Sequence, residues 1–454
     1  MNKEKKYLIG LDIGTSSIKG VLIAADGSER FTGRQEFVYD RADGRVEIPA
    51  DRYIEACFAL LRQLSARLPA GARLAGVSAA SASGNLLLLG PDGAPSTPIL
   101  NWQDRRADDE VDAILPELDL DAYYRSTGWA FDKKTFPLAA LCWYAVHEPQ
   151  KLKEASMVVM STEYLNYRLT GKWGIGTSAG TPFYLIDQQS GAYRADVLEK
   201  LGIPEAKLPP VCPTGTVLGA VTEAASAACG LPAGTPIVLG TFDHPSAARG
   251  VGVVREGQLL LSCGTSWVGF YPINDRARVQ AAGMLTDPFL SERGGPWAGM
   301  ISLASVSGNL DAYVRRFIAN EGDIYGELNA LAAQSEPGAG GLRINPIEEP
   351  DEAYIRTFPR TQIARAIMEG IVRLLADRIA EIGKNGIRTT EAVMVGGPSE
   401  RPLWSHLIAA QTGLTVRVMH GAFAGAVGAA MLSGIAAGLY RDESEALDSL
   451  RERA

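Results

Sequence analysis

The feature that most constrains the fold is a hairpin tip that occurs once in each half of the chain. Gly14-Thr15-Ser16 lies between two strand-like apolar runs, Tyr7–Leu11 and Ile18–Ala24. Gly264-Thr265-Ser266 lies between Gln258–Ser262 and Trp267–Tyr271 in the same way. Two copies of one supersecondary unit point to two related domains and are too few for a solenoid. The length agrees, because 454 residues exceed what a single hydrophobic core holds.

Between the tips, strands and helices alternate, which predicts an α/β class. Arg52–Leu68 carries apolar residues at helical spacing and is stopped by Pro69-Ala70-Gly71. Leu74–Ser78 and Leu86–Leu89 read as further strands. The Pro- and Gly-rich stretch Lys207–Pro236 marks the boundary, giving domains 1–238 and 239–454. In the second, Val251–Val254 and Ala392–Val395 read as strands, while Ile363–Ile382 and Leu403–Gln411 read as helices. The small-residue run Ala424–Ala437 suits a helix in close backbone contact.

A Gly-Thr-Ser tip offers what a polyphosphate needs. Glycine allows close backbone approach, successive N–H groups point one way, and the hydroxyls add donors. A single tip is better explained as a plain turn; two matched tips favour a shared anionic ligand. Asp12 precedes the first tip, where a carboxylate is placed either to hold Mg2+ through water or merely to end a strand. Asp243 follows the apolar run Ile237–Gly240 and opens a helix at Pro245. It is placed to cap that helix or to act as base on an alcohol. Gly396-Gly397 closes a strand before a helix, a turn against which a base or ribose lies flat. Asn101-Trp102-Gln103-Asp104-Arg105-Arg106 surrounds one aromatic ring with polar groups, a mixture that suits a sugar or an ordinary polar loop equally.

Other classes are disfavoured. The net charge of −8 argues against a nucleic-acid surface. No run approaches the ~18 apolar residues of a membrane span, and the polar start lacks a signal-peptide core. Five scattered cysteines without a CxxC pair fit reduced thiols in a cytoplasmic protein, and four dispersed histidines form no metal motif.

Taken together, these motifs resemble the FGGY family of carbohydrate kinases, within the actin and hexokinase ATPase superfamily. The resemblance rests on Asp12–Ser16, Trp102–Arg106, Leu169-Thr170-Gly171, Gly230–Pro236, the Asp243 segment, Leu261–Ser266, Gly396-Gly397 and Gly425–Ala430. It implies two ribonuclease-H-like domains flanking a cleft and an ATP-dependent transfer. Asp243 is implied as catalytic base, and Asp12 as organiser of Mg2+. Gly14, Thr15, Ser16, Gly264, Thr265 and Ser266 are implied at the ATP phosphates, with Gly396 and Gly397 at the adenosine. Ser83, Trp102, Asp104 and Arg106 are implied at the sugar, with Asp243. A homodimer is compatible with the resemblance. Within the family the chain looks closest to the xylulokinases, which makes D-xylulose the first acceptor to expect. It departs from them at Ala82-Ser83-Gly84, where that subgroup carries Met-His-Gly, and at Pro398, where a third glycine is common. The departure at Ser83 leaves another ketose, a tetritol or a sugar acid open; a non-catalytic sugar or nucleotide sensor on the same scaffold and an actin-like assembly or chaperone ATPase are the alternatives from other classes.

Overall fold

The structure is a computed structural model that describes residues 4–450 apart from 265 and 266, and only the backbone of 304–307. Thr265 and Ser266, expected at the phosphates, lie outside the described residues. The chain divides into two compact units, one of residues 1–254, 286–294 and 423–454, the other of residues 255–285 and 295–422.

The first unit is built on a six-stranded sheet. Its strands are β1 (Lys6–Ile13), β2 (Ser17–Ala24), β3 (Arg30–Glu36), β4 (Arg73–Ser81), β5 (Val217–Ala220) and β6 (Pro236–Val238), in the order β5-β6-β4-β1-β2-β3. β1, β2 and β3 form an antiparallel meander, while β4 runs parallel to β1 and β6 parallel to β4. Both faces of the sheet are covered. Side chains alternate across a strand, so Ile9 and Leu11 join the core that includes Tyr53, Cys57 and Leu61 of helix Ala50–Ser65. Leu8, Val21 and Ile23 face Ala426, Ala430 and Met431 of helix Ala424–Ala436.

The second unit repeats the plan. β7 (Gln258–Cys263), β8 (Trp267–Ile273), β9 (Leu285–Asp287), β10 (Trp297–Leu303), β11 (Glu391–Gly396) and β12 (Thr415–Val418) form a sheet in the order β9-β10-β8-β7-β11-β12. β7, β8 and β10 are antiparallel, and β11 and β12 continue in parallel from β7. Ile363, Ile367, Ile371 and Leu375 of helix Arg360–Gly383 pack with Leu259, Leu261 and Trp404 in its core. The shared plan, a meander on one side of the first strand and parallel strands on the other, is the ribonuclease-H-like arrangement the repeated tips predict.

The contact units differ from halves cut at 238/239. Helix Asp243–Val251 stays with the first unit, as does helix Ala424–Ala436, and Ser246 Oγ donates to the Gly425 carbonyl at 2.7 Å. The expected strand Val251–Val254 is the end of helix Asp243–Val251 and its cap. Gly252 takes the left-handed conformation there, and Val253 N bonds back to Ala248 O at 2.8 Å, closing the helix in place of a strand. A third Gly-Thr-Ser, at Gly176-Thr177-Ser178, makes no hairpin and opens the short helix Thr177–Gly180. Among the described residues no helix is long and apolar enough to cross a membrane.

Candidate active site

In the first unit the carboxyl ends of β1, β4 and β6 converge, the edge at which open α/β sheets bind ligands. Ala82 N donates to Ile13 O at 2.8 Å, and Ser81 N to Thr241 O at 3.3 Å. These bonds bring the end of β1 and the tip after it (Asp12 to Ser16) and the residues after β4 (Ser83) and β6 (Asp243) to one rim. The first tip is a tight turn, closed by Gly14 N donating to Ser17 O at 3.0 Å.

Asp12 is half-buried in this rim. Burial pushes its carboxyl up to about 7, the negative charge of Asp243 adds to the rise, and Lys19 opposes it. No side chain among the described residues hydrogen-bonds this carboxylate. The space beside it exists because residue 425 is glycine: a Cβ there would stand 2.6 Å from Asp12 Cγ. A carboxylate whose proton affinity is raised by burial and by a neighbouring negative charge fits a hard cation, which would relieve both the burial and the repulsion. Among the described residues no cluster of three or more such ligands occurs. That suits Mg2+, which keeps several waters and needs one or two carboxylates.

Asp243 is the first residue of its helix. Its side chain is about one-third exposed, its Oδ1 accepts from His244 N at 2.8 Å, and His244 Nε2 stands 3.9 Å from the same oxygen. The helix is held from behind by Arg249, which is fully buried. Arg249 donates to Pro245 O at 3.3 Å and to Phe289 O at 2.8 Å, meets Glu443 at 3.4 Å, and covers the Phe289 ring. Phe289 belongs to segment 286–294, which returns from the second sheet into the first unit. The same segment accepts a bond from Trp129 Nε1 at Thr286 O (3.1 Å), and Asp287 accepts one from Ser178 Oγ (2.8 Å). Trp129 in turn packs edge-on against Phe242, the residue before Asp243.

Trp102 reaches the first tip, with Nε1 donating to Thr15 Oγ1 at 3.3 Å, and its ring stacks on Phe136. Asp104 and Arg106, expected at the sugar, bond to each other and to the strand of residues 45–48. Asp104 is buried and the Arg106 side chain is 7% exposed. Asp104 Oδ2 accepts from Val46 N (2.7 Å) and Arg106 Nη2 (2.9 Å), and Oδ1 accepts from Arg106 N and Nε. Arg106 Nη2 also bonds Glu47 at 2.5 Å. The pair shapes the loop that presents Trp102. Ser83 is also buried, and its hydroxyl joins a chain to Ser81 (3.2 Å) and on to Thr162 (2.5 Å).

In the second unit, Gly264 is an exposed bend after β7 and Gly396 ends β11 in register with Cys263. Gly397, also exposed, opens the short turn Gly397–Glu400, which Ser399 Oγ closes on Gly396 O at 2.6 Å. Gly264 and Gly396-Gly397 therefore meet at adjoining strand ends.

Lys19, Phe136 and Arg249 are not among the sequence-derived site residues, and Gly425 entered only within the Gly425–Ala430 motif. Lys19 has a findable signal, since the hairpin register sets it opposite Asp12. The others depend on contacts between residues remote in sequence.

The sequence matches the FGGY family of carbohydrate kinases, N-terminal domain, over residues 7–250, and its C-terminal domain over residues 348–437. An autoinducer-2 kinase of Escherichia coli is 28% identical over 98% of this chain and 89% of its own length. An autoinducer-2 kinase of Klebsiella pneumoniae is 30% identical over 96% of this chain and 87% of its own. The crystal structure of a xylulose kinase from Rhodospirillum rubrum superposes with a TM-score of 0.82 at 25% identity, covering 95% of this chain and 91% of that one.

Proposed function

This chain belongs to the FGGY family of carbohydrate kinases. From that premise, which makes it a phosphotransferase with an alcohol group as acceptor, we propose that it moves the γ-phosphoryl group of ATP to a hydroxyl of a small ketose or a related polyhydroxy carbonyl compound. The observation that carries this reading is the Asp12–Asp243 pair at the carboxyl ends of β1 and β6, electrostatically coupled beside a Gly-Thr-Ser turn.

Asp243, at a helix start and partly exposed, accepts the proton of the attacking hydroxyl. Gly14, Thr15 and Ser16 bind phosphate oxygens through backbone N–H and hydroxyl donors. In the second unit, Gly264, Thr265 and Ser266 are assigned to phosphate binding, and Gly396 and Gly397 to the adenosine. Asp12 would hold Mg2+, which when bound would neutralise charge on the phosphates. Trp102 offers its ring to the sugar, while Asp104 and Arg106 fix the loop that carries it.

Two acceptors lead. D-xylulose follows from the likeness to a xylulose kinase. Autoinducer-2 follows from the relatives that match nearly the whole chain. Ser83, where the xylulokinase pattern has histidine, weighs against the first. The test is ADP release with Mg-ATP across ketoses, tetritols, sugar acids and autoinducer-2. One acceptor is expected to dominate, and Asp243→Asn is expected to lower its turnover by about a hundredfold or more while nucleotide still binds. Full activity of that variant overturns the assignment.

A further inference from the structure

Phe136 holds a backbone conformation that bulky residues avoid. Its φ is +68°, and it opens helix Phe136–His147 directly before Pro137. Proline disfavours the right-handed helical region for the residue before it, and the left-handed region is an outlier for an aromatic side chain. Such strain concentrates at functional sites. Here it aims a large ring at the rim where β1, β4 and β6 end.

The ring is enclosed on three sides by aromatic neighbours. Trp102 stacks on it at 6.2 Å and 25°, Trp129 meets it edge-on at 5.9 Å, and Tyr184 lies at 5.3 Å. Trp129 and Tyr184 are buried, so Phe136 and Trp102, both half-buried, form the aromatic face open to a ligand. One edge of the ring lies over Gly84. This glycine has φ +84°, and a Cβ there would stand 2.5 Å from Phe136 Cδ1. Residue 84 thus contributes no side chain, and the small hydroxyl of Ser83 is turned to Ser81. The boundary above the end of β4 is therefore set by the volume of one ring.

We infer that Phe136 is the specificity-determining wall of the sugar site, the volume of its ring setting how long an acceptor is accommodated beside Trp102. This rests on the reading of the site as that of a sugar kinase. The ring is connected to both chemical ends of that site. One path runs through Trp102 to the Thr15 hydroxyl, the other through Trp129 and Phe242 to Asp243. An acceptor pressed against this wall is held between them. One carbon more or less against such a surface changes discrimination by roughly tenfold or more.

The test is calorimetric binding of four-, five- and six-carbon ketoses to the whole protein, with ADP release and the KM for ATP measured alongside. Phe136→Leu is expected to raise the six-carbon to five-carbon affinity ratio by roughly tenfold. Phe136→Trp, which preserves the aromatic packing, is expected to move it the other way. The KM for ATP is expected to stay unchanged in both. A ratio equal to the wild-type value in both variants, with affinities falling in parallel, overturns the inference even if Asp243-dependent turnover is intact. Binding with Phe136-dependent selectivity but no ADP release sustains the wall and removes the proposed reaction. Failure of every ketose to bind the wild-type protein overturns both.

Discussion

Asp12 and Lys19 are directly paired across the hairpin of β1 and β2, so both side chains project from the same face of the sheet. Lys19 is the charge that partly offsets the burial of Asp12 and the repulsion from Asp243. Removing it in Lys19→Met leaves only influences that favour the protonated carboxyl. The Asp12 titration, followed by carboxyl carbon NMR without nucleotide or Mg2+, is expected to move above its wild-type position of about 7. A downward move, or none, would show that Lys19 is electrostatically remote from the site.

Gly425→Ala tests whether Asp12 needs its empty neighbour. The added Cβ would lie 2.6 Å from Asp12 Cγ, closer than real contacts allow. Alanine favours a helix by about 1 kcal/mol over glycine, so propensity alone predicts stabilisation. The clash is expected to win. Turnover should fall by about a hundredfold, the loss expected of a displaced catalytic group. Kinetics and a melting curve on the same sample separate the two effects.

Arg249 is the buried support of the helix that begins at Asp243. Burial lowers its proton affinity, and the charge of Glu443 acts against that. Arg249→Met removes the bonds to Pro245 O, Phe289 O and Glu443 together. Breaking a buried ion pair from one side costs about 3–5 kcal/mol, and the low end is expected because Glu443 keeps Arg293 at 2.6 Å. Urea unfolding measures this loss. In the folded variant, kcat is expected to fall more than the KM for ATP rises, since the turns proposed for the adenosine belong to the second unit and are not touched.

These residues show what a sequence displays and what it hides. The tip at Gly14–Ser16, Asp243 at a strand-to-helix turn and Gly396 at a strand end are local patterns, and turn chemistry makes such patterns legible. The two ribonuclease-H-like sheets were equally legible, because strand and helix alternation repeats around each tip. The fate of Asp104 and Arg106 was not. A polar run in a loop looks the same whether it faces a sugar or Glu47 and the Val46 amide, and only the fold brings β-strand residues 46 and 47 to it. The return of segment 286–294 and of helix Ala424–Ala436 to the first unit was hidden for the same reason. The small residues of that helix announced a close contact without naming its partner. Val251–Val254 misled because β-branched residues favour strands locally, while the cap at Gly252 decided otherwise.

Glu163 provides a prediction in which the sign of a pH effect is fixed in advance. It lies in helix Ser161–Thr170, is 1% exposed, and no hydrogen bond reaches its Oε2. Burial pushes its carboxyl up to about 7, against the lowering effect of backbone bonds at Glu163 and Met160. In the unfolded chain it titrates near the ordinary value of 4.5. Below that value both states hold the proton and folding is indifferent to it. Between the two values the unfolded chain has released a proton that the folded protein still binds, so stability falls as pH rises, and it levels off above about 7. Glu163→Gln keeps the shape and abolishes the titration. The variant should match the wild type near pH 4 and exceed it at pH 8 by up to about 3 kcal/mol, the size of the shift expressed as free energy. Urea unfolding of both proteins from pH 4 to 8 measures the difference. A gap that stays constant across that range would mean that Glu163 is already ionised in the folded protein and has a partner for its charge.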